Sequence, residues 1–316
     1  MPEIITLGET MFCIAPKTTG MLRYMKEYEA HIAGAESNFA IGVSKMGHSS
    51  GWISRLGTDE IGKFILNSVR AEGVDTSQVE FDEEFRTGLM VKQSKMNGET
   101  SVFYYRDNSA ASHLERLFLR REYFEGARLI HLTGVTPVLS QSCEGKIWEL
   151  FDLAEELHIP VSFDPNIRRK LWKGRDYSDM LREMMQRASI VCLGEEEAEI
   201  LLGTKEPGKV LHSLFVCSSV KYAALKQGKK GAFVSDGRQM IKINSYPCRC
   251  VEPVGAGDAF DAAFVCGILE QKPLEVCGEM AAVAGAMATE SHGDTEGVPS
   301  REMMEDILGN ENIVYR

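Results

Sequence analysis

Near the end of the chain, Cys250-Val251-Glu252-Pro253-Val254-Gly255-Ala256-Gly257-Asp258-Ala259-Phe260 runs directly into a long apolar, alanine-rich segment. Two glycines around one alanine permit a tight turn, and the apolar run after them reads as a buried helix. Such a turn lets backbone N–H groups converge, and the helix start adds its partial positive charge, so the junction suits an anion. Asp258 stands in the middle of it. A carboxylate would repel a phosphate held there, yet it is well placed to take a proton from a hydroxyl attacking that phosphate. Two plainer readings share the spacing. In a dinucleotide fingerprint the third glycine would fall on Phe260, and the motif lies far from the first strand-helix unit. As a helix cap, Asp258 would do the commonest job of an aspartate at such a place, and spacing alone leans slightly toward the cap.

A resemblance separates these readings. Gly255-Ala256-Gly257-Asp258-Ala259-Phe260 resembles the C-terminal signature of the PfkB (ribokinase-like) family of sugar kinases. Ala33-Gly34-Ala35-Glu36-Ser37-Asn38-Phe39-Ala40, with Gly47 and Gly57 beyond, resembles that family's N-terminal signature, and the two stand in the family's order. The resemblance implies a ribokinase-like three-layer α/β/α fold with a mostly parallel central sheet and a small β-sheet lid. It also implies ATP and Mg2+ as cofactors, while a monovalent cation is left open. In this chain Asp258 would be the catalytic base, and the amides of Gly255, Ala256 and Gly257 would form the anion hole. Gly34, Ala35 and Asn38 would contact the sugar.

Bulk properties narrow the partners. A length of 316 residues suits one large α/β domain or two small ones. The net charge of −11 argues against nucleic acid or an anionic membrane as a general partner, because both need a basic face. The start, Met1-Pro2-Glu3-Ile4, is not a basic stretch followed by an apolar one, and no apolar run approaches a membrane span, so a soluble, cytoplasmic protein is expected. Eight cysteines (Cys13, Cys143, Cys192, Cys217, Cys248, Cys250, Cys266 and Cys277) include no CxxC pair and read as reduced, small apolar residues. The seven histidines are dispersed and receive no role.

Along the chain, residues 4–7 read as a buried strand ending at Gly8-Glu9, where open α/β sheets place ligands. Glu9 is either exposed or, by the resemblance, close to the sugar. Segments around 12–14 and 22–24 read as strands of something peripheral, 52–56 as a strand and 61–71 as an amphipathic helix. The strand-helix rhythm then breaks. Residues 89–93 and 101–106 flank Met96-Asn97-Gly98-Glu99, a hairpin signal whose Asn-Gly pair favours a two-residue turn. The resemblance makes residues of about 11–32 and 86–108 the lid of a single domain spanning 1–316. An unpaired edge on that lid invites a second copy, hence a homodimer or higher homo-oligomer.

Strand alternation puts Tyr104 and Arg106 on one face and Tyr105 on the other. Arg106 can grip a carboxylate through a forked pair of hydrogen bonds, or can be a solvated edge arginine. The run Tyr104-Tyr105-Arg106-Asp107-Asn108-Ser109-Ala110-Ala111-Ser112 is similar to one in the 2-keto-3-deoxygluconate kinases of the family, which implies the carboxylate of a sugar acid at Arg106.

The rhythm resumes with strands at 129–132 and 160–164 around a helix at 146–157. The second strand leads to Asp164-Pro165-Asn166-Ile167-Arg168-Arg169-Lys170, a basic cluster in an acidic chain. It reads as solvent-facing charge or as an anion site; by the resemblance, Asn166 and Arg168 line the cleft on the nucleotide side, and Arg168 also serves the substrate. Another strand at 190–193 precedes Gly194-Glu195-Glu196-Glu197. Acidic residues suit a first helical turn on electrostatic grounds alone. The family has Asn-x-x-Glu here, tied to Mg2+ through water, which assigns Glu197 to the metal and marks Gly194 as a departure. A strand at 221–225 leads to Lys226-Gln227-Gly228-Lys229-Lys230-Gly231, similar to the family's nucleotide-side loop, with Lys226 toward phosphate and Gly228 and Gly231 lining the loop or simply turning it. Helices at 258–269 and 274–291 follow, the second rich in alanine for close packing or for an adenine slot. Glu252-Pro253 replaces the Asp-Thr of many members.

Neither a Walker A sequence nor a protein-kinase motif set is present, so the phosphate grip falls to the turn at Gly255–Gly257. The expected reaction is ATP-dependent transfer of the γ-phosphate to a primary hydroxyl, with 2-keto-3-deoxygluconate giving its 6-phosphate. A fructokinase, ribokinase or nucleoside kinase is the alternative within the family. A non-catalytic sugar sensor is the alternative outside catalysis, motivated by Gly194 and Glu252.

Overall fold

Strands that are apolar on both faces must be covered on both faces, and strand alternation shows how this chain does it. A computed structural model describes residues 1–94, 100–216 and 218–309. The chain opens with β1 (Ile4–Leu7), β2 (Met11–Pro16), β3 (Tyr28–Ala33), α1 (Ala35–Lys45), β4 (Ser50–Gly57), α2 (Glu60–Ala71) and β5 (Val79–Asp82). Next are β6 (Leu89–Ser94), β7 (Thr100–Tyr105), α3 (Arg121–Phe124), β8 (Leu129–Thr133), α4 (Gln141–Glu156) and β9 (Val161–Asp164). Then come α5 (Ser178–Arg187), β10 (Ile190–Gly194), α6 (Glu195–Leu202), α7 (Pro207–Phe215), β11 (Tyr222–Lys226), β12 (Ala232–Ser235) and β13 (Met240–Ile243). Helices α8 (Ala256–Leu269), α9 (Leu274–Ala288) and α10 (Arg301–Gly309) complete the described chain.

The large sheet has the order β13-β12-β11-β10-β9-β8-β1-β4-β5 and is parallel from β11 through β5. Within each strand, successive residues go to opposite layers. Ile5, Leu7, Ile130, Leu132, Val191, Leu193, Ala223 and Leu225 join the core under α4, α5 and α7. Ile4, Leu129, Ile190, Cys192 and Ala224 join the core under α1, α8 and α9. The result is the expected three-layer α/β/α arrangement.

Two corrections come from the edges of this plan. Residues 22–24 form a single 3-10 turn with no buried residue, because Leu22–Tyr24 lie outside any sheet face that could cover them. Strands β12 and β13 form an antiparallel hairpin on β11 that the strand-helix rhythm did not reveal. Helix α4 also begins earlier than the apolar period suggests, because the Ser140 hydroxyl accepts from the Cys143 N–H and caps it.

A second, smaller sheet has the order β3-β2-β6-β7, antiparallel except where β2 meets β6. Its β6 and β7 pair Met90 with Tyr104 and Ser94 with Thr100; the expected Asn97-Gly98 turn lies outside the described residues. Five cysteines are buried free thiols and Cys248 and Cys250 are exposed ones, while Cys217 lies outside the described residues. No helix among the described residues is long and apolar enough to cross a membrane.

The chain leaves β1 toward β4 on one side and returns to pair with β8 on the other. A crevice outside the carboxyl ends of parallel strands forms at such a reversal. Gly8-Glu9 after β1, Thr133 of β8, Asp164 of β9, Gly194 of β10 and Lys226 of β11 all belong to that end.

Candidate active site

Gly255 adopts φ 85° at the start of α8, and a Cβ there would lie 2.3 Å from the Asp294 backbone oxygen. The turn therefore requires glycine on conformational and steric grounds alike. It leaves Ala256, Gly257 and Asp258 in the first helical turn, whose N–H groups have no partner within the helix.

Asp258 is 8 % exposed and is held from two directions by amide side chains. Asn38 donates through Nδ2 to Oδ2 at 2.8 Å, and Asn166 donates through Nδ2 to Oδ1 at 3.4 Å. Asn38 reaches it because α1 packs tightly on α8: a Cβ on Gly42 would be 2.8 Å from the Cβ of Ala262. Asn166 sits in a left-handed conformation (φ 39°), its N–H bound at 2.9 Å to Asp164 Oδ1. The Oδ1 atoms of Asn38 and Asn166 are both buried without a partner among the described residues, so each can still accept a hydrogen bond. Burial pushes the Asp258 carboxyl up to about 7, against the Asn38 hydrogen bond and the Arg168 charge, which pull down, and with Asp164 and Asp294, which push further. Arg168 itself is exposed.

Behind the turn lies a buried ion cluster. Lys226 Nζ is 2.8 Å from Asp164 Oδ2 and 3.1 Å from Asp261 Oδ1. Burial pushes the Asp261 carboxyl well above its ordinary range; for Asp164 burial is overcome by Lys226 and the hydrogen bond with Asp261, which hold it low. Lys226, expected at phosphate, has its ammonium between the carboxyl groups of Asp164 and Asp261, with its Nζ 3.5 Å from where a Cβ on Gly257 would stand. Asp261 was legible only as a charge in an otherwise apolar helix, one turn after Asp258.

Glu197 accepts the N–H of Gly194 at 2.6 Å and of Ile167 at 2.8 Å, so its carboxylate ties the start of α6 to the loop after β9. Burial pushes it up. Gly231 has φ 89° and a Cβ there would strike the Ile243 backbone oxygen at 2.0 Å, so β12–β13 alone demands this glycine. Gly228 (φ 55°) has nothing near its Cβ position. In α9, a Cβ on Gly285 would be 3.1 Å from the Ala256 oxygen, so this small residue serves the contact with α8.

On the other side of Asp258, a Cβ on Gly34 would lie 2.4 Å from the Glu9 backbone oxygen, and Ala35 begins α1. Tyr104 and Arg106 do share a face, with the guanidinium carbon 5.6 Å from the ring centroid. Arg106 is not an unpaired cation, however. It is 7 % exposed, and its Nε donates to Glu9 Oε2 at 2.6 Å with a second contact from Nη2. Glu9 Oε1 is buried without a partner among the described residues.

Three further residues had no sequence signal that singled them out. Glu36 accepts from Thr133 at 2.7 Å and Thr136 at 2.6 Å, and burial pushes it up. Lys92 of β6 places Nζ 2.6 Å from Asp294 Oδ1 and 4.0 Å from Glu252 Oε2. Asp294 Oδ2 lies 3.3 Å from the Nδ2 of Asn38. Alternation along β6 puts Lys92 on the face of Met90, which the sequence shows without naming its partner.

The family profile described as pfkB family carbohydrate kinase matches residues 1–301. The 2-dehydro-3-deoxygluconokinase of Bacillus subtilis (strain 168) is 32% identical over 319 residues, covering 99% of this chain and 98% of that one. The 2-dehydro-3-deoxygluconokinase of Thermoproteus tenax is 29% identical over 318 residues, covering 98% and 94%. Among solved structures, an uncharacterized sugar kinase from Pyrococcus horikoshii in complex with ATP superposes with a TM-score of 0.82 at 27% identity, covering 95% and 96% of the two chains. With a glycine turn, a buried aspartate at the helix start and two sheets meeting around it, and with these matches running the length of the chain, the protein belongs to the pfkB family of carbohydrate kinases.

Proposed function

We propose that this protein uses ATP to phosphorylate the primary hydroxyl of a sugar acid, 2-keto-3-deoxygluconate (2-dehydro-3-deoxygluconate), giving the 6-phosphate. The observation that carries the reading is Asp258: a buried carboxyl at a helix start, bridged by Asn38 and Asn166, which burial pushes up to about 7. The names of the Bacillus and Thermoproteus relatives supply the substrate class.

In this mechanism the Asp258 carboxylate takes the proton from the hydroxyl. The hydroxyl oxygen forms a bond to the γ-phosphorus as the bond from that phosphorus to the oxygen of ADP breaks, and ADP leaves with the electron pair. The amides of Gly255, Ala256 and Gly257 stabilise charge on the transferring group, and the Lys226 ammonium keeps the Asp164 carboxylate behind the turn from opposing it. Arg168, exposed at the cleft, would meet phosphate. Gly34, Ala35 and the free Oδ1 of Asn38 would receive sugar hydroxyls. Gly228 and Gly231 would border the nucleotide. The small sheet of β2, β3, β6 and β7 would act as a lid that keeps water from the reaction.

Magnesium would be supplied with ATP. Among the described residues, no three histidine, cysteine, aspartate or glutamate side chains are arranged to hold a metal ion by themselves. Glu197 and the unpartnered Oδ1 of Asn166 are the groups that would face its waters. When bound, the ion would neutralise phosphate charge.

The Arg106–Glu9 pair favours a second reading, a neutral ketose such as fructose, since the arginine's charge is already matched. ADP release measured over sugar acids, ketoses and nucleosides decides between them. Highest kcat/KM for the sugar acid, falling steeply for the same sugar without its carboxylate, supports the first reading. Equal values for both overturn it, and tight sugar binding without ADP identifies a sensor. Strand β7 is an outer strand of the small sheet with Phe103 and Tyr105 exposed, which supports pairing of two copies through that edge. Light scattering should then give the mass of a dimer; a single-chain mass contradicts it.

A further inference from the structure

We propose that Lys92 of the lid is a positioning residue for phosphoryl transfer, acting through Asp294 and Asn38 to hold the catalytic carboxylate in place once the lid lies on the body. The proposal rests on the reading of Asp258 as the base.

Lys92 is 1% exposed, although it lies on a strand of the small sheet. Its ammonium meets Asp294 at 2.6 Å and Glu252 at 4.0 Å, and both carboxylates belong to the body and are themselves 3% exposed. From Asp294 the chain of contacts continues at 3.3 Å to Asn38 Nδ2, which donates at 2.8 Å to Asp258. A second lid contact runs in parallel: Thr100 of β7 donates to Glu252 Oε1 at 2.8 Å. Glu252 precedes the glycine turn, and the Asp294 backbone oxygen fills the space beside Gly255 where a Cβ would go. The lid therefore touches the anion-hole turn from both flanks. Glu252, which departs from the family's usual residue there, is one of those two contacts.

A buried lysine between two carboxylates invites a purely structural account. The geometry argues for more, because one link of the chain is the side chain that orients Asp258. The charges facing Asp258 are Arg168 and Asp164 from the loop and strand end at β9, and Asp294 from the segment after α9; Asn38 on α1 faces it as a neutral donor. Those facing Lys92 are Asp294 and Glu252, with Cys13 of β2, whose thiol burial pushes up to about 12 and so leaves neutral. Lys92 is thus the cation that offsets Asp294. Without it, the full negative charge of Asp294 would act on Asp258 and favour its protonated form.

The test compares the unmodified enzyme with Lys92→Met, Asp294→Asn, the double variant and Asp258→Asn. One readout is kcat/KM for ADP release against pH with the best sugar of the panel. The other is the 13C titration of the Asp258 carboxyl, which needs no substrate. Lys92→Met should lower kcat roughly tenfold or more with the KM for ATP retained. It should also raise the acid limb and the 13C midpoint by roughly one pH unit. Asp294→Asn should move both downward, and the double variant, which removes both members of the closest buried pair and covers the case where a single variant misfolds, should return toward the starting midpoint. Lys92→Met with an unshifted limb, unshifted 13C midpoint and kcat within twofold overturns the proposal. If Asp258→Asn keeps full turnover, the base assignment fails with it; if Asp258→Asn is inactive and Lys92→Met unshifted, the positioning role alone fails.

Discussion

Asp258 illustrates how one side chain acquires its chemistry from its surroundings. An aspartate at a helix start is ordinarily ionised and helped by the dipole. Here burial is the largest influence and lifts the carboxyl to about 7, while the Asn38 hydrogen bond and Arg168 keep it from rising further. A base must be unprotonated to act, so if Asp258 is the base, activity should be present above about pH 7 and lost as pH falls through that value. The acid limb of kcat/KM should fall near 7; a limb near 4, the range of an ordinary carboxyl, would assign the proton transfer elsewhere. Spacing made the residue visible and left cap and base open. The amides that surround it, those of Asn38 and Asn166, come from parts of the chain remote in sequence.

At the scale of elements, the close crossing of α1 and α8 is what brings Asn38 to Asp258. Gly42 and Ala262 form that crossing, and a methyl group at Gly42 would sit too near Ala262 to be accommodated without movement. Gly42→Ala should therefore separate the helices despite the better helix propensity of alanine. We expect a net loss of roughly 1 kcal/mol in urea unfolding, overpacking of about 1–3 offset by about 1 from propensity. Turnover should fall with it; unchanged stability together with unchanged kcat would show that the crossing has slack. The parallel strands were legible because apolar runs such as residues 190–193 declare burial on both faces. Strands β12 and β13 were not, since two four-residue strands at the end of the sheet carry little periodicity. Lys92 and Asp294 were hidden for a different reason: their pairing joins positions far apart in the chain, and alternation shows which face a lysine takes but never what waits opposite it.

For the whole molecule, the contact between the small sheet and the body joins an apolar patch around Ile32 and Phe12 to several ion pairs, and the latter should respond to pH. His31 of β3 lies with Nδ1 2.9 Å from Glu296 Oε1, and that hydrogen bond, stronger than the opposing burial, raises the imidazole above its ordinary value. The same contact, opposed by burial, holds Glu296 down to about 2. A raised histidine contributes stability that is fully present below the unfolded value, about 6.5, and is lost as pH rises through the folded one. The glutamate's share is present above about 4.5 and lost as pH falls toward 2. Thermal stability of the unmodified protein should thus decline from pH 6 to 8 relative to His31→Gln; parallel curves would remove the pair from the account. The proposed chemistry rests on Asp258 as a proton acceptor rather than a cap. The direct measurement is Asp258→Asn, assayed for ADP release and, separately, for nucleotide and sugar binding. Asparagine can still cap a helix, so the variant should fold and bind nearly as before while turnover falls roughly a hundredfold or more. Near-normal turnover in that variant would contradict the mechanism.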